Sequence, residues 1–206
     1  NNYAFSVLGM AVELAEQRTL DEILYESLYG PLHIDAAFYA RENQRTDLLA
    51  EIYRANGAVG LSLATQQSRV SDGIPGSNGI TFAGGLTISA YDLGKIVALL
   101  ANDGVYEGVP YIQPEVIAGL EQHGDAMIAG GFYQGQPLRY RTWAYGQSEL
   151  YYHTGSAYGV YNLISYNPAT RAGVVVLTTG ASGTKDAYGI YAVCGEISQL
   201  LYQSQP

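Results

Sequence analysis

The feature that most limits how this chain can fold is a change of character near residue 129. From there to Thr179, aromatic, glycine and β-branched residues dominate. That pattern predicts strands near 138–145, 149–154, 158–166 and 172–178, and the turn residues of Asn167–Gly173 make the last two a hairpin. Ahead of residue 129 the signals are mainly helical. Phe5, Leu8 and Val12 share one face of a helix over 3–18, with Met10 and Leu14 beside them. Thr19-Leu20-Asp21-Glu22 fits a capping box opening a helix to Tyr29, which Gly30-Pro31 stops. A further helix is expected over 41–56, a strand over Ala58–Thr65 and a long loop over Gln66–Gly79. Ser89-Ala90-Tyr91-Asp92 caps a helix that ends at Asp103-Gly104, and Pro114 opens a short one to Gln122. A closing helix is expected over Asp186–Tyr202. Helices, then an antiparallel meander, then a helix give an α+β fold, with a mainly helical region over 1–128 and a sheet plus closing helix over 129–206.

Composition narrows the function. The 206 residues are 48% hydrophobic and 14% charged, which suits a packed core and excludes a disordered chain or a coiled coil. Ten basic against nineteen acidic residues leave a net charge of −9, which argues against nucleic acid and anionic membranes as partners. No run of about 18 apolar residues offers a membrane span. Cys194 is the single cysteine, so the chain forms no internal disulfide and no cysteine-rich metal site. The three histidines lack metal-ligand spacing, and neither a metal nor a cofactor is expected.

Most candidate polar and aromatic residues read as structural. His33 ends a helix, His123 lies in a loop as a solvated side chain, and Trp143 and Tyr145 fall on a strand as core. His153 differs. It closes a strand as Tyr152-His153-Thr154-Gly155-Ser156, with Gly159 and an apolar strand following. An imidazole can bind an anion or relay a proton, a threonine hydroxyl can hold a carboxylate or carbonyl, and a strand glycine lets another backbone approach. A plain turn at a strand end fits the same residues.

The run Tyr152 to Tyr161, followed by Ser165-Tyr166-Asn167-Pro168 and Gly173-Val174-Val175-Val176-Leu177-Thr178, resembles the third motif and following hairpin of the class C β-lactamase-like serine hydrolases. That family holds β-lactamases, D-Ala-D-Ala carboxypeptidases, esterases and amidases. Its third motif is Lys-Thr-Gly in the β-lactamases and often His-Thr-Gly in the peptidase-like members. Ala83-Gly84-Gly85-Leu86 through Asp92-Leu93, and Asp103-Gly104 through Pro114-Glu115-Val116, are similar to the family's following segments. Asn2, Phe5 and Gly9 keep the spacing of its Tyr-x-Asn motif, and Tyr29–Ile34 resembles its Pro-Leu-Gly-Met turn.

The resemblance implies a β-lactamase/transpeptidase-like fold whose sheet is incomplete in this chain, both regions being parts of one catalytic domain. It implies a serine hydrolase working through an acyl-enzyme on a small amide, ester or peptide substrate, and export to the periplasm or outside the cell. Asn2 would donate its amide to the substrate carbonyl. His153 would border the catalytic tyrosine, the Ser156 N–H would supply an oxyanion-hole donor, and Thr154 would contact the substrate's carboxylate or ester edge. Gly155 and Tyr158 would line the substrate groove. Histidine in the lysine position favours a carboxypeptidase or esterase over an efficient β-lactamase. The family's nucleophilic Ser-x-x-Lys precedes Tyr-x-Asn, so the chain is expected to need an additional N-terminal segment that carries the serine and lysine. Ser182-Gly183-Thr184-Lys185 has the pattern in the wrong place, and Ser182 is expected to cap the closing helix. The competing expectation is a non-catalytic binding module that keeps the fold without the nucleophile.

Overall fold

The computed structural model describes residues 1–204. They form two compact units, one of residues 1–51 and 61–92, the other of residues 52–60 and 93–204.

In the first unit the Asn1 side chain accepts from the Tyr3 N–H and starts α1 (Asn2–Glu16), which Gln17 ends in a left-handed conformation. The expected capping box is present: Thr19 and Glu22 bond each other's backbone N–H at the start of α2 (Leu20–Leu24). The helix then widens into a single π-helical turn over Tyr25–Tyr29. Glu13 is buried on α1 because both its oxygens are engaged, Oε1 by the Leu20 N–H at 2.7 Å and Oε2 by the Gly76 N–H at 2.8 Å. Strand β1 (Ala36–Ala37) is separated from its antiparallel partner β4 (Thr87–Ile88) by β2 (Ile52–Tyr53), β3 (Val59–Leu61), α3 (Leu63–Ser68) and α4 (Gly79–Phe82).

Two expectations for this stretch fail. Residues 41–56 are not a helix but two short 3₁₀ turns leading to β2. Asp35 accepts from the backbone N–H groups of Gln44 and Arg45 and from the Asn43 side chain, which offers this segment a better set of partners than a helix would. The strand of Ala58–Thr65 stops at Leu61, because the Ser62 hydroxyl accepts from Thr65 N–H and starts α3, which also takes residues 66–68 from the expected loop.

In the second unit, α5 (Ala90–Ala101) runs in from its Ser89 cap, which accepts from the Asp92 N–H at 3.0 Å. It ends at Asp103 and Gly104, both with positive φ, and leads to the hairpin of β5 (Val105–Tyr106) and β6 (Val109–Pro110) and to α6 (Pro114–Glu121). The main sheet follows: β7 (Tyr133–Gln134), β8 (Arg139–Ala144), β9 (Gln147–Ala157), β10 (Val160–Asn167) and β11 (Ala172–Val176), antiparallel throughout in the spatial order β11-β10-β9-β8-β7. Two turns set this register. Tyr145-Gly146 and Tyr158-Gly159 each place two positive-φ residues between strands, as a tight hairpin with matching twist requires. Side chains alternate across the sheet. Leu150, Tyr152, Leu163, Val174 and Val176 pack with Cys194 and Tyr202 of α7 (Ala192–Ser204), while Tyr166 packs with Val97, Leu100 and Ile117 of α5 and α6 on the other face.

The closing helix starts at Ala192 rather than Asp186. The Asp186 carboxylate accepts from the N–H groups of Tyr188 and Ile190 and from the Tyr145 hydroxyl at 2.5 Å, and so fixes a compact loop in place of the first helical turns. Ser182 therefore caps no helix; its hydroxyl accepts from the Thr184 N–H at 3.3 Å. Tyr145 is core, as expected, but Trp143 is not: it sits at φ 56 and is 74% exposed. His123 is not a freely solvated loop residue either, because its ring stacks on Tyr140 with centroids 4.5 Å apart.

Candidate active site

The His-Thr-Gly segment does not end a strand. β9 continues to Ala157 and pairs with β10 along its whole length there: His153 with Ile164, Thr154 with Leu163, Gly155 with Asn162 and Ser156 with Tyr161. On the other side β8 reaches only to Arg139, which pairs with Tyr152. From His153 to Ala157, among the described residues, β9 has a strand partner on one side only. An open strand edge of this kind presents main-chain donors and acceptors to an extended ligand.

The alternation divides the motif. Thr154 and Ser156 lie on the α7 face, His153 and Gly155 on the α5 face. Gly155 is informative because the fold does not demand it. Its φ is not left-handed, and a Cβ built there meets only the Asn162 Cβ, at 3.8 Å. A glycine inside a strand weakens that strand, and here nothing in the packing of the chain requires one, so the face of β9 at Gly155 is left open. Gly159 is the opposite case: at φ 100 its missing Cβ makes room for the backbone of Tyr53 and Arg54. Tyr158, beside it at the hairpin tip, is 48% exposed.

Arg139 is the residue that sequence reasoning missed. Its Nη1 donates to Thr154 Oγ1 at 3.3 Å, and its guanidinium lies 4.7 Å from the centroid of the Phe132 ring. Partial desolvation of the His153 ring, and next the Arg139 charge, hold its imidazole below the ordinary value, so its neutral form prevails at neutral pH and the local cation is the arginine. Arg139 and Thr154 are 15 positions apart in sequence, and only the antiparallel register brings them together. Asn2 is the first residue of α1, in the first unit. Ser182 and Lys185 lie in the loop before α7, where the Lys185 ammonium sits 5.7 Å from the Tyr191 ring centroid. A polar cavity of about 250 Å³ lies elsewhere in the second unit, lined by His123, Gln122, Gln134 and Gln136 and by no motif residue.

Comparison with known proteins bears on this geometry. The beta-lactamase family model matches residues 1–193. This chain belongs to the beta-lactamase family. No curated protein matches the sequence. Solved structures share the fold at low identity. A class C beta-lactamase superposes with a TM-score of 0.66 at 14% identity, covering 100% of this chain and 57% of its own. A D-alanine carboxypeptidase from Burkholderia cenocepacia gives 0.64 at 17% identity, covering 98% and 59%. A mutant class C beta-lactamase gives 0.60 at 15% identity, covering 88% and 53%. The chain thus spans between half and two thirds of the length of these beta-lactamase-fold neighbours, which by name are hydrolases. The α+β fold expected from the sequence is the beta-lactamase fold, with its antiparallel sheet and C-terminal helix.

Proposed function

We propose that this chain forms the substrate-binding wall of a serine hydrolase that cleaves small acyl substrates ending in a free carboxylate, as a D-Ala-D-Ala carboxypeptidase does. The observation that carries the proposal is the Arg139 guanidinium bonded to Thr154 beside the open stretch of β9. A guanidinium is permanently charged and matches a carboxylate with two parallel N–H donors. It supplies the charge that the neutral His153 does not.

In this reading the substrate lies along the edge of β9, over Gly155, with its carboxylate at Arg139 and Thr154. A serine outside these 206 residues, with its lysine, attacks the acyl carbonyl. The Ser156 N–H donates to the oxyanion as the carbonyl carbon becomes tetrahedral. The leaving amine or alcohol departs with a proton, and water then hydrolyses the acyl-serine. Losing one oxyanion donor costs about 10²–10³ in rate in comparable sites. Asn2 keeps the spacing of the family's Tyr-x-Asn asparagine, the residue whose amide would donate to the substrate carbonyl, and Tyr158 borders the groove. His153 acts as the neutral neighbour of the proton-carrying tyrosine.

The test compares the full gene product with its Arg139→Gln variant on an acyl-D-Ala-D-Ala peptide, the C-terminal amide of that peptide, a neutral p-nitrophenyl ester and nitrocefin. The proposal expects the acid to be cleaved in preference to the amide, with that preference lost in R139Q and turnover of the neutral ester little changed. Binding without turnover of any substrate would identify a non-catalytic module instead. Equal handling of acid and amide would refute the carboxylate assignment.

A further inference from the structure

We infer that Phe132 is a positioning residue for substrate selection: its ring holds the Arg139 guanidinium against Thr154, and the loop that carries it is itself anchored by Arg141. This rests on the reading of Arg139 as the carboxylate anchor.

Arg139 and Arg141 are two apart on β8 and so share one face of the sheet. Both reach the loop of residues 128–132, in different ways. Arg141 is buried, and its Nη2 donates to the carbonyls of Gly130 at 2.7 Å and Gly131 at 2.6 Å, while its Nε donates to Gly131 at 3.1 Å. The loop closes on itself through Ile128 N–H to the Phe132 carbonyl at 2.9 Å and Gly131 N–H to the Ile128 carbonyl at 3.0 Å. Its geometry is specific to glycine, with φ 110 at Gly130 and 73 at Gly131, where a Cβ would also crowd Arg141 Nη2 at 2.9 Å. The far end of this anchored loop is Phe132. Its ring packs edge-on to Tyr152, centroids 6.3 Å apart, and presents itself to Arg139 at 4.7 Å.

Arg139 therefore touches both the Phe132 ring and the Thr154 hydroxyl, next to its cross-strand neighbour Tyr152. An arginine side chain has many rotamers, and fixing it before the ligand arrives reduces what binding must spend on ordering it. The aromatic face supplies that restraint without consuming the N–H donors that a carboxylate needs, which a carboxylate partner from the chain would do. The loop is thus a preorganising element: Arg141 sets the loop, the loop sets Phe132, and Phe132 sets Arg139.

The decisive experiment measures, by calorimetry on the full gene product, the dissociation constants of a non-hydrolysable isostere of acetyl-D-Ala-D-Ala (the acid) and of its C-terminal amide. Phe132→Leu keeps apolar bulk but removes the ring quadrupole, and is expected to weaken the acid about five- to thirtyfold and the amide little. Phe132→Tyr is expected to retain tight binding of the acid. Incorporating phenylalanines of increasing fluorination at position 132 keeps the ring shape while draining its face of negative charge. Acid affinity is expected to fall stepwise along that series at unchanged melting temperature, a response that a purely structural ring would not give. The series decides the matter even if F132L fails to fold. If Arg139→Gln leaves the acid-over-amide preference intact, the carboxylate reading itself falls. If R139Q abolishes the preference but fluorination leaves acid affinity flat, the arginine assignment stands and the role given to Phe132 is wrong.

Discussion

Gly155 and Gly159 lie four residues apart on one hairpin, yet substitution by alanine should have opposite consequences. At Gly155 the new methyl meets one carbon of the chain, Asn162 Cβ, at an ordinary 3.8 Å. Folding then gains from the reduced freedom of the unfolded chain, about 0.5–1 kcal/mol. The cost falls on the complex, because the methyl stands where the substrate backbone is proposed to lie. An overlap of that size costs about 1–3 kcal/mol, a loss of about 5- to 150-fold in kcat/KM. At Gly159, φ of 100 already disfavours alanine. The left-handed region costs an L-residue about 1–2 kcal/mol. The methyl would also strike the Tyr53 carbonyl and come within 2.7 Å of the Arg54 Cα. That backbone yields poorly, since Tyr53 is held from both sides, its N–H by Thr179 Oγ1 at 2.6 Å and its carbonyl by Gly180 N–H at 2.9 Å. Overpacking adds about 1–3 kcal/mol, for a total near 2–5 kcal/mol. Urea unfolding followed by far-ultraviolet circular dichroism, paired with turnover of the acyl-D-Ala-D-Ala peptide, measures both. A G155A protein destabilised by about 2 kcal/mol or more would show that the strand needs this glycine, and the reading of an open β9 face at Gly155 would fail. A neutral G159A would refute the packing argument at the hairpin tip.

Glu13→Ala leaves the N–H groups of Leu20 and Gly76 without their acceptor, and is expected to cost about 2–5 kcal/mol in the same unfolding assay. Burial, with the charges of Glu42 and Glu13 adding to it against the opposing Phe38 N–H bond, pushes the Asp21 carboxyl up to about 6. Folding therefore favours protonated Asp21, a contribution complete below pH 3.8 and lost as pH rises through 6. Asp21→Asn should accordingly raise stability at pH 7 and flatten its pH dependence between those values. Ser182→Ala and Lys185→Ala should leave turnover unchanged, and a fluorophosphonate should not label Ser182; labelling there would overturn the assignment of the nucleophile to a residue outside this chain.

The parts of the fold legible in sequence are those whose causes are local. The Thr19/Glu22 capping box, the Ser89 cap and the Asn167 turn each depend on partners within three residues, and each forms as read. The misreadings come from side chains that satisfy distant backbone. Asp35 takes the N–H groups of Gln44 and Arg45 and removes the helix expected over 41–56, and Asp186 delays α7 by accepting from Tyr188, Ile190 and Tyr145. Trp143 misleads because an aromatic on a strand reads as core, while its positive φ turns it outward. At the candidate site, His153, Thr154 and Gly155 were readable as a motif. Arg139 carried no signal of its own, because its meaning lies in a register set by the Tyr145-Gly146 turn.

The placement of Trp143 has a spectroscopic consequence. It is the one tryptophan of these 206 residues and sits 74% exposed, while the sheet core is built around tyrosines such as Tyr145, Tyr152 and Tyr166. An indole already in contact with water has little further to move when the chain unfolds, so its emission maximum should lie to the red in the native state and scarcely shift on denaturation. A melting curve recorded by tryptophan fluorescence would therefore understate the cooperativity of this sheet. The same indole, lying at the β8–β9 turn, is instead well placed to report on quenchers in the solvent or on a macromolecule that settles against that end of the hairpin.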